Sequence, residues 1–351
     1  MATGAPGGAP VVFFASFAFD CSVSLSLSLS VRTESWPIAG TFAISRGAKT
    51  EAQVVVVELS DGRHRGRGEC VPYERYGETL AGVTETIAAL RDRLARGLDR
   101  DALQRTLPAG AARNALDCAF WDFEAKRAGR PVHELARLPA PRALTTAYTI
   151  SLGEPAAMAA AARANAARSL LKIKLGAVGD PERIAAVRRA APQAELIVDA
   201  NEGWSAENLR ENLAACAAAG VALVEQPLPA ADDAALGAIA RPIPVCADES
   251  AHDRVSLRRL IGRYDAVNIK LDKAGGLTEA LAMAAEAERL GFGVMVGCMV
   301  ATSLAIAPAI LLAQRAHVVD LDGALLLAKD RPNGLRYEHS LVHPPVSALW
   351  G

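Results

Sequence analysis

The chain has 351 residues, of which 51% are hydrophobic and 22% are charged. It is long enough for one large domain or two ordinary ones, and its composition is that of a globular protein rather than a disordered or collagen-like one. Lysine plus arginine (38) nearly balance aspartate plus glutamate (39), and no basic stripe is visible, so we expect no nucleic-acid partner. Six dispersed cysteines without a CxxC pair are typical of a reducing cytoplasm.

Two apolar segments raise the question of export or membrane insertion. Val11 to Phe19 is an apolar run, but no Lys or Arg precedes it, as a signal peptide would require. Gly291 to Gln314 carries no charge, yet Gly297 and Pro308 divide it into a short strand-like piece and a helix-like piece. We therefore expect a cytoplasmic protein without a membrane partner.

The N-terminal third of the chain has the pattern of an α+β domain. Residues 1–24 open with a Gly-, Ala- and Pro-rich stretch and are expected to form a disordered tail. Strict alternation of polar and apolar residues from Ser22 to Val31 predicts a strand, as does the apolar run from Gln53 to Leu59. Alanine- and leucine-rich stretches from Val83 to Arg137 predict helices, so residues 25–140 are expected to form this domain.

From Ala143 onward, a short apolar run that ends in polar residues occurs eight times, each time followed by a helix-like stretch. The ends of these runs are Thr146–Ile150, Leu171–Lys174, Ile197–Asn201, Leu223–Gln226, Val245–Glu249, Val267–Lys270, Val296–Met299 and Val318–Asp322. Their mean separation is about 24 residues, enough for one strand, one helix and two short loops. Residues 141–327 are therefore predicted to form an α/β fold of the (β/α)₈ barrel type, in which catalytic groups lie at the C-terminal ends of the strands.

Carboxylates end three consecutive predicted strands, at Asp199, Glu225 and Asp248. Adjacent strands lie about 4.8 Å apart, so the three side chains can converge on one cation. The set contains no His or Cys, which favours Mg²⁺ over Zn²⁺. A single carboxylate at such a position could merely cap the next helix, but three in succession favour a metal site.

Lysines end the second and sixth predicted strands, which face each other across the mouth of an eight-stranded barrel. Lys174 and Lys270 are therefore expected to contact opposite faces of a substrate held on the cation. One lysine would remove an α-proton, the cation would hold the enolate charge, and a proton would return from either face, which is racemisation or epimerisation. Lys172 also points into the barrel and is a third catalytic candidate. We expect repulsion between Lys172 and Lys174 to lower the pKa of each toward the working range of a general base. A lone lysine would more commonly be a solvated rim residue.

The last predicted strand ends with two aspartates, Asp320 and Asp322. Their spacing of two residues turns both carboxylates in the same direction. The pair could bind an ammonium group of the substrate, or either residue could simply cap a helix.

Several of these segments together resemble the muconate-lactonizing subgroup of the enolase superfamily. They are Lys172-Ile173-Lys174, Asp199-Ala200-Asn201, Glu225-Gln226-Pro227, Asp248-Glu249-Ser250 and the run from Lys270 to Gly276. Within the subgroup, Asp320-Leu321-Asp322-Gly323 looks like the ammonium-binding motif of dipeptide epimerases. Gly68 to Glu78 and Leu107 to Asp117 look most like bacterial epimerases of Ala-Glu dipeptides.

The resemblance covers roughly residues 25–345 and implies an enolase-superfamily architecture. It implies that the N-terminal domain caps the barrel, is completed by residues of about 328–351, and closes its loops over the barrel mouth. The implied activity is Mg²⁺-dependent epimerisation of L-Ala-D-Glu and L-Ala-L-Glu during recycling of cell-wall peptides. The implied partner is a small dipeptide substrate, and a homo-oligomer is compatible with this fold.

The resemblance also suggests which residues contact the substrate. Arg46 and Lys49 lie in the first capping loop, where either could pair with a glutamate side chain or remain solvated. Thr149, Cys298 and Met299, at the ends of the first and seventh predicted strands, are further expected contacts.

Two alternatives stay open. The same scaffold could carry out N-acyl amino acid racemisation or o-succinylbenzoate synthesis, although those substrates lack a free ammonium group for Asp320 and Asp322 to bind. A catalytically silent barrel with a binding role is the other alternative. The complete set of three ligands and two bases argues against it.

Overall fold

The computed structural model describes residues 26–176 and 178–351. The expected disordered tail of residues 1–24 lies outside the described residues. An antiparallel sheet opens the described part, with strands in the order β1 (Ser28–Ile44), β2 (Gly47–Ser60) and β3 (Arg65–Cys70). Strand β2 contains the strand predicted from Gln53 to Leu59. Strand β1 contains residues 28–31 of the strand predicted from Ser22 to Val31. Five helices follow, α1 (Leu80–Ala88), α2 (Arg91–Ala95), α3 (Arg100–Thr106), α4 (Ala111–Ala128) and α5 (Val132–Leu135).

Helix α4 packs against the sheet because two positions of β3 carry no side chain. A Cβ atom on Gly66 would lie 2.2 Å from the carbonyl oxygen of Ala119, and one on Gly68 would lie 2.0 Å from that of Ala115. Only glycine allows the backbones to approach this closely. Buried apolar side chains of β2 and α4 then form a core of their own within the N-terminal domain.

Eight parallel strands form the barrel, and each predicted run contributes one of them. They are β5 (Tyr148–Ile150), β6 (Leu170–Lys174), β7 (Glu195–Asp199), β8 (Val221–Glu225), β9 (Val245–Ala247), β10 (Ala266–Ile269), β11 (Gly293–Gly297) and β12 (Val318–Asp320). Neighbours in sequence are neighbours in the sheet. The amide of Ala147 donates to the carbonyl of Val319 at 2.8 Å, which connects the first strand to the last. The prediction of a capped α/β barrel is confirmed.

Helices connect most barrel strands on the outside. They are α6 (Pro155–Ala164), α7 (Asp180–Ala190), α8 (Leu209–Ala218), α9 (Arg254–Leu257), α10 (Leu271–Ala274), α11 (Leu277–Arg289) and α12 (Ser303–Ala313), with the short 3₁₀ helices Asp233–Ala238 and Arg258–Leu260. A further 3₁₀ helix, Glu74–Tyr76, follows β3 in the N-terminal domain. The segment from Gly291 to Gln314 forms β11 and α12, as predicted. In the part of the chain that the structure describes, no helix is long and apolar enough to cross a membrane.

The chain after β12 contacts the N-terminal domain instead of forming the helix expected there. The amide of Ala39 donates to Leu326 O, and that of Ala328 donates to Pro37 O, both at 2.8 Å. The short strands β13 (Tyr337–Glu338) and β14 (Leu341–Val342) then pair with β4 (Leu144–Thr145). Near the end, the indole of Trp350 donates to Cys118 O at 3.0 Å. The domain boundaries given above stay predictions.

Candidate active site

The C-terminal ends of the barrel strands and two loops of the N-terminal domain enclose a cavity of about 830 Å³. The first loop connects β1 to β2, and the second follows β3. All the predicted site residues except Asp199 and Glu225 line this cavity, including the expected contacts Thr149, Cys298 and Met299. The volume lies within the range typical of small-molecule sites.

The three predicted metal ligands meet at the bottom of the barrel mouth. Asp199 ends β7, Glu225 ends β8 and Asp248 follows β9 directly. All three are buried, and one carboxylate oxygen from each lies within 4.8 Å of the others. Burying three carboxylates together is costly unless cations compensate their charge. The all-oxygen donor set fits a hard divalent cation such as Mg²⁺.

A buried amide orients the central member of this cluster. Asn268 on β10 donates from Nδ2 to Glu225 Oε1 at 2.6 Å. The neighbouring strand leaves room for this amide, since a Cβ atom on Gly297 would lie 2.7 Å from Asn268 Oδ1. Sequence reasoning missed Asn268, although it is the second residue before Lys270 and therefore points to the same side of its strand.

The two candidate bases flank the carboxylate cluster. Lys174 donates from Nζ to Asp199 Oδ2 at 2.6 Å, and Lys270 donates from Nζ to Asp248 Oδ2 at 2.7 Å. Strands β6 and β10, which carry them, are four positions apart in the eight-stranded barrel. The lysines thus contact the two outer carboxylates of the cluster, one on each side of Glu225.

Lys172 is surrounded by carboxylates, which overturns the pKa expected for it. Its ammonium lies 2.7 Å from Asp320, 2.5 Å from Glu225 and 3.2 Å from Asp199. Burial lowers the pKa of Lys172, but the three negative charges outweigh burial and raise it well above its ordinary value. The prediction that repulsion lowers this pKa was wrong, because it considered the neighbouring lysine and not the carboxylates that the fold brings in.

The pKa of Lys270 is also raised above its ordinary value. Burial acts to lower it, and the charges of Asp248 and Glu225 outweigh that effect. In this arrangement Lys270 is a charged donor to Asp248. It can therefore serve as an acid that delivers a proton, and it acts as a base once it has lost one.

Asp320 and Asp322 both line the cavity at the end of β12. Asp320 accepts a bond from Lys172 through Oδ2, while its buried Oδ1 has no hydrogen-bond partner among the described residues. Asp322 accepts from the amide of Thr149 at 2.7 Å, and burial together with the charge of Asp320 raises the pKa of Asp322 to about 7. Asp320 Oδ1 is thus a buried hydrogen-bond acceptor that a cationic group in the cavity could contact.

Arg46 and Lys49 reach different parts of the cavity. Arg46 donates to Asn201 O and Glu249 Oε1, each at 2.6 Å, so it lies against the barrel mouth. Lys49 lies in strand β2, paired with Phe42 of β1, and not in the first loop as expected. It is exposed, and its ammonium lies 5.7 Å from the ring centre of Tyr73 on the second loop. Arg46 therefore contacts residues that follow the predicted ligands Asp199 and Asp248, whereas Lys49 contacts the second loop.

Glu202, which sequence reasoning missed, joins both loops to the barrel. It accepts two bonds of 2.7 Å from Arg75 on the second loop and one of 3.2 Å from Arg46 on the first. The amide of Ala230 donates to it as well, at 2.8 Å. Its backbone has a φ of +65°, which is unusual for a residue with a side chain. Its place just after the Asp199-Ala200-Asn201 motif is the sequence signal that could have drawn attention to it.

Replacing Arg75 with alanine (Arg75→Ala) should loosen the second loop. Only Arg46 would then hold Glu202 to the loops, so we expect KM to rise about tenfold, equivalent to about 1.4 kcal/mol, with a smaller change in kcat. Amide hydrogen exchange of residues 72–78 should become faster. Arg241→Ala is the matched control, because Arg241 forms a similar two-bond pair with Asp265 at the other end of the barrel. Equal changes in both variants would contradict this role.

Family models match both parts of the chain. Residues 26–136 match the mandelate racemase / muconate lactonizing enzyme N-terminal domain, and residues 155–347 match the enolase C-terminal domain-like family. The protein therefore belongs to the mandelate racemase / muconate lactonizing enzyme family of the enolase superfamily, as its sequence motifs predicted.

Two curated relatives are similar over most of the chain. L-Ala-D/L-Glu epimerase of Escherichia coli (strain K12) is 48% identical over 318 residues, which cover 90% of this chain and 99% of the relative. N-acetyl-D-glutamate racemase of a Pseudoalteromonas species is 47% identical over 85% of this chain and 95% of the relative. The prediction of an isomerase of the racemase and epimerase class is confirmed.

Solved structures share the fold closely. An enolase family member from Agrobacterium tumefaciens, with bound sodium and L-Ala-L-Glu, is 54% identical with a TM-score of 0.92, covering 93% of this chain and 100% of its own. A dipeptide epimerase from Enterococcus faecalis V583, complexed with Mg and L-Leu-L-Tyr, is 29% identical with a TM-score of 0.85, covering 93% of this chain and 99% of its own.

Proposed function

We propose that this protein is a Mg²⁺-dependent dipeptide epimerase that interconverts L-Ala-D-Glu and L-Ala-L-Glu. The observation that carries the proposal is the pair of lysines on opposite sides of three buried carboxylates. The identities to the Escherichia coli and Agrobacterium relatives support the Ala-Glu substrate. The physiological role would be recycling of cell-wall peptides in the cytoplasm.

Asp199, Glu225 and Asp248 would hold the cation. The Enterococcus relative is complexed with Mg, which supports Mg²⁺ as that cation. Bound Mg²⁺ would supply positive charge that stabilises the negative charge developing on the substrate carboxylate when the α-proton leaves. Lys172 lies among Asp320, Glu225 and Asp199, so we assign it to balancing the charge of these carboxylates rather than to proton exchange.

Proton exchange at the second residue of the dipeptide falls to Lys174 and Lys270. One lysine removes the α-proton from its own face, and the other delivers a proton to the opposite face, which inverts the configuration. Asp320 Oδ1 accepts a hydrogen bond from the N-terminal ammonium of the dipeptide. Arg46, on the first loop, pairs with the glutamate side chain of the substrate in place of one of its present carboxylate partners, Glu249 or Glu202.

Racemisation of N-acetylglutamate is a second candidate, favoured by the 47% identity to the Pseudoalteromonas racemase. Both substrates present a glutamate α-carbon and side chain, so they share the lysines and Arg46. They differ at the amino end, where an acetyl group replaces a cationic residue. The unused buried oxygen of Asp320 favours the dipeptide, because an acetylated amine has no charge to offer it.

Isotope exchange tests the proposal directly. The protein is incubated in D₂O with Mg²⁺ and a dipeptide library that includes N-acetylglutamate, and α-deuterium is measured by mass spectrometry. We expect the fastest exchange with Ala-Glu dipeptides, its loss on chelation with EDTA, and its recovery on adding Mg²⁺. Faster exchange with N-acetylglutamate would favour the second candidate, and no exchange with any compound would indicate a silent barrel.

A further inference from the structure

Lys273 is a buried lysine that the proposed reaction does not use. It lies in α10, three residues after Lys270, and its side chain is only 1% exposed. Its ammonium donates to Asp248 Oδ1 at 2.5 Å, to Asp248 O at 2.5 Å and to Asn268 O at 3.0 Å. An ammonium has three protons to donate, so each proton of Lys273 has an acceptor and the group is fixed in place.

These contacts determine how Asp248 presents its carboxylate. Oδ1 faces Lys273, which does not line the cavity, whereas Oδ2 faces Lys270, which does. The carboxylate cannot rotate without breaking a buried, charge-assisted hydrogen bond to Lys273. Asp248 therefore keeps Oδ1 engaged with Lys273, and Oδ2 is the oxygen on the side of the cavity-lining Lys270.

We propose that Lys273 is a positioning residue that makes the metal site select Mg²⁺ over Ca²⁺ by restricting Asp248 to one ligand oxygen. The inference rests on the proposed function, which places a divalent cation at Asp199, Glu225 and Asp248. Ca²⁺ accepts six to eight oxygens and commonly takes both oxygens of a carboxylate, whereas Mg²⁺ requires a compact octahedron. A cation shared by both oxygens of Asp248 would also lie close to the positive charge of Lys273, which disfavours it.

Divalent cation binding to the substrate-free protein, measured by isothermal titration calorimetry, tests this inference. Replacing Lys273 with methionine (Lys273→Met) removes one positive charge, which affects Mg²⁺ and Ca²⁺ alike, so the ratio of their dissociation constants isolates the effect on selectivity. We expect the preference for Mg²⁺ over Ca²⁺ to fall about tenfold, in line with changes to groups that orient metal ligands.

Lys126→Met is the matched control, because Lys126 pairs with the buried carboxylate of Asp122 outside the cavity. Its ratio should equal that of the wild type. The ratio of the two dissociation constants is also measured for Lys273→Gln, so that the test does not depend on the folding of one variant. The glutamine side chain is shorter and neutral, and it should not hold Asp248 Oδ1 either. An unchanged ratio in either folded variant overturns the inference, whereas a wild-type protein that binds neither cation overturns the metal site itself.

Discussion

Replacing Lys270 with alanine (Lys270→Ala) is expected to abolish epimerisation while leaving solvent exchange at the α-carbon of one epimer. Each lysine serves one face of the substrate, so Lys174 can still remove and return the proton on its own face. The loss of a positioned general acid or base typically costs about 10²–10⁴-fold, and inversion needs both lysines. Lys174→Ala should give the mirror result, with exchange retained only for the opposite epimer.

Pure L-Ala-L-Glu and pure L-Ala-D-Glu are incubated separately in D₂O with each variant, and α-deuterium and configuration are followed by mass spectrometry and chiral chromatography. The variant Lys270→Ala should fold, because Lys273 still balances the charge of Asp248. Lys126→Ala is the control. Lys126 lies in helix α4, outside the cavity, so this variant should behave as wild type. Full epimerase activity in Lys270→Ala, or exchange of both epimers by it, would rule out the two-base mechanism.

The eight barrel strands could be predicted because each repeats one local pattern, an apolar run ending in a polar residue. The rule that catalytic groups lie at the C-terminal ends of such strands then placed Asp199, Glu225 and Asp248 together without any structure. Local spacing also placed Lys174 and Lys270 on opposed strands. These inferences depend only on the order of strands in a closed barrel.

Contacts across long stretches of sequence could not be predicted in the same way. Lys172 pairs with Asp320, 148 residues away, only because closing the barrel brings β12 next to β5, the neighbour of β6. The sequence shows Lys174 beside Lys172 but not this carboxylate, so the expected pKa shift had the wrong sign. Glu202 and Arg75, 127 residues apart, meet because the N-terminal domain folds over the mouth.

The role of Lys273 could not be predicted for a different reason. It stands inside the run from Lys270 to Gly276 that the sequence singled out, yet its role depends on where α10 begins. Because the helix starts at Leu271, the side chain of Lys273 turns back onto Asp248 rather than into the cavity. Helix boundaries are the least reliable part of a prediction from sequence, so this orientation of Lys273 could not be predicted.

Replacing Asp320 with asparagine (Asp320→Asn) should weaken turnover of dipeptides far more than turnover of N-acylated analogues. Asparagine retains the shape of the side chain but removes the negative charge that faces the dipeptide's ammonium. A hydrogen bond to a charged group contributes about 1.5–3 kcal/mol, so we expect kcat/KM for L-Ala-L-Glu to fall roughly 10- to 100-fold. The measurement compares kcat/KM for L-Ala-L-Glu and N-acetyl-L-glutamate in wild type and variant.

The comparison of the two substrates separates binding of the ammonium from the other contact of Asp320. Its Oδ2 is a partner of Lys172, which would keep Glu225 and Asp199 as partners in the variant. Any effect through Lys172 reaches the carboxylate cluster and must slow both substrates alike. Only the loss of an ammonium partner at Oδ1 can slow the dipeptide selectively, so equal losses for both substrates would mean that Asp320 serves Lys172 and not the substrate.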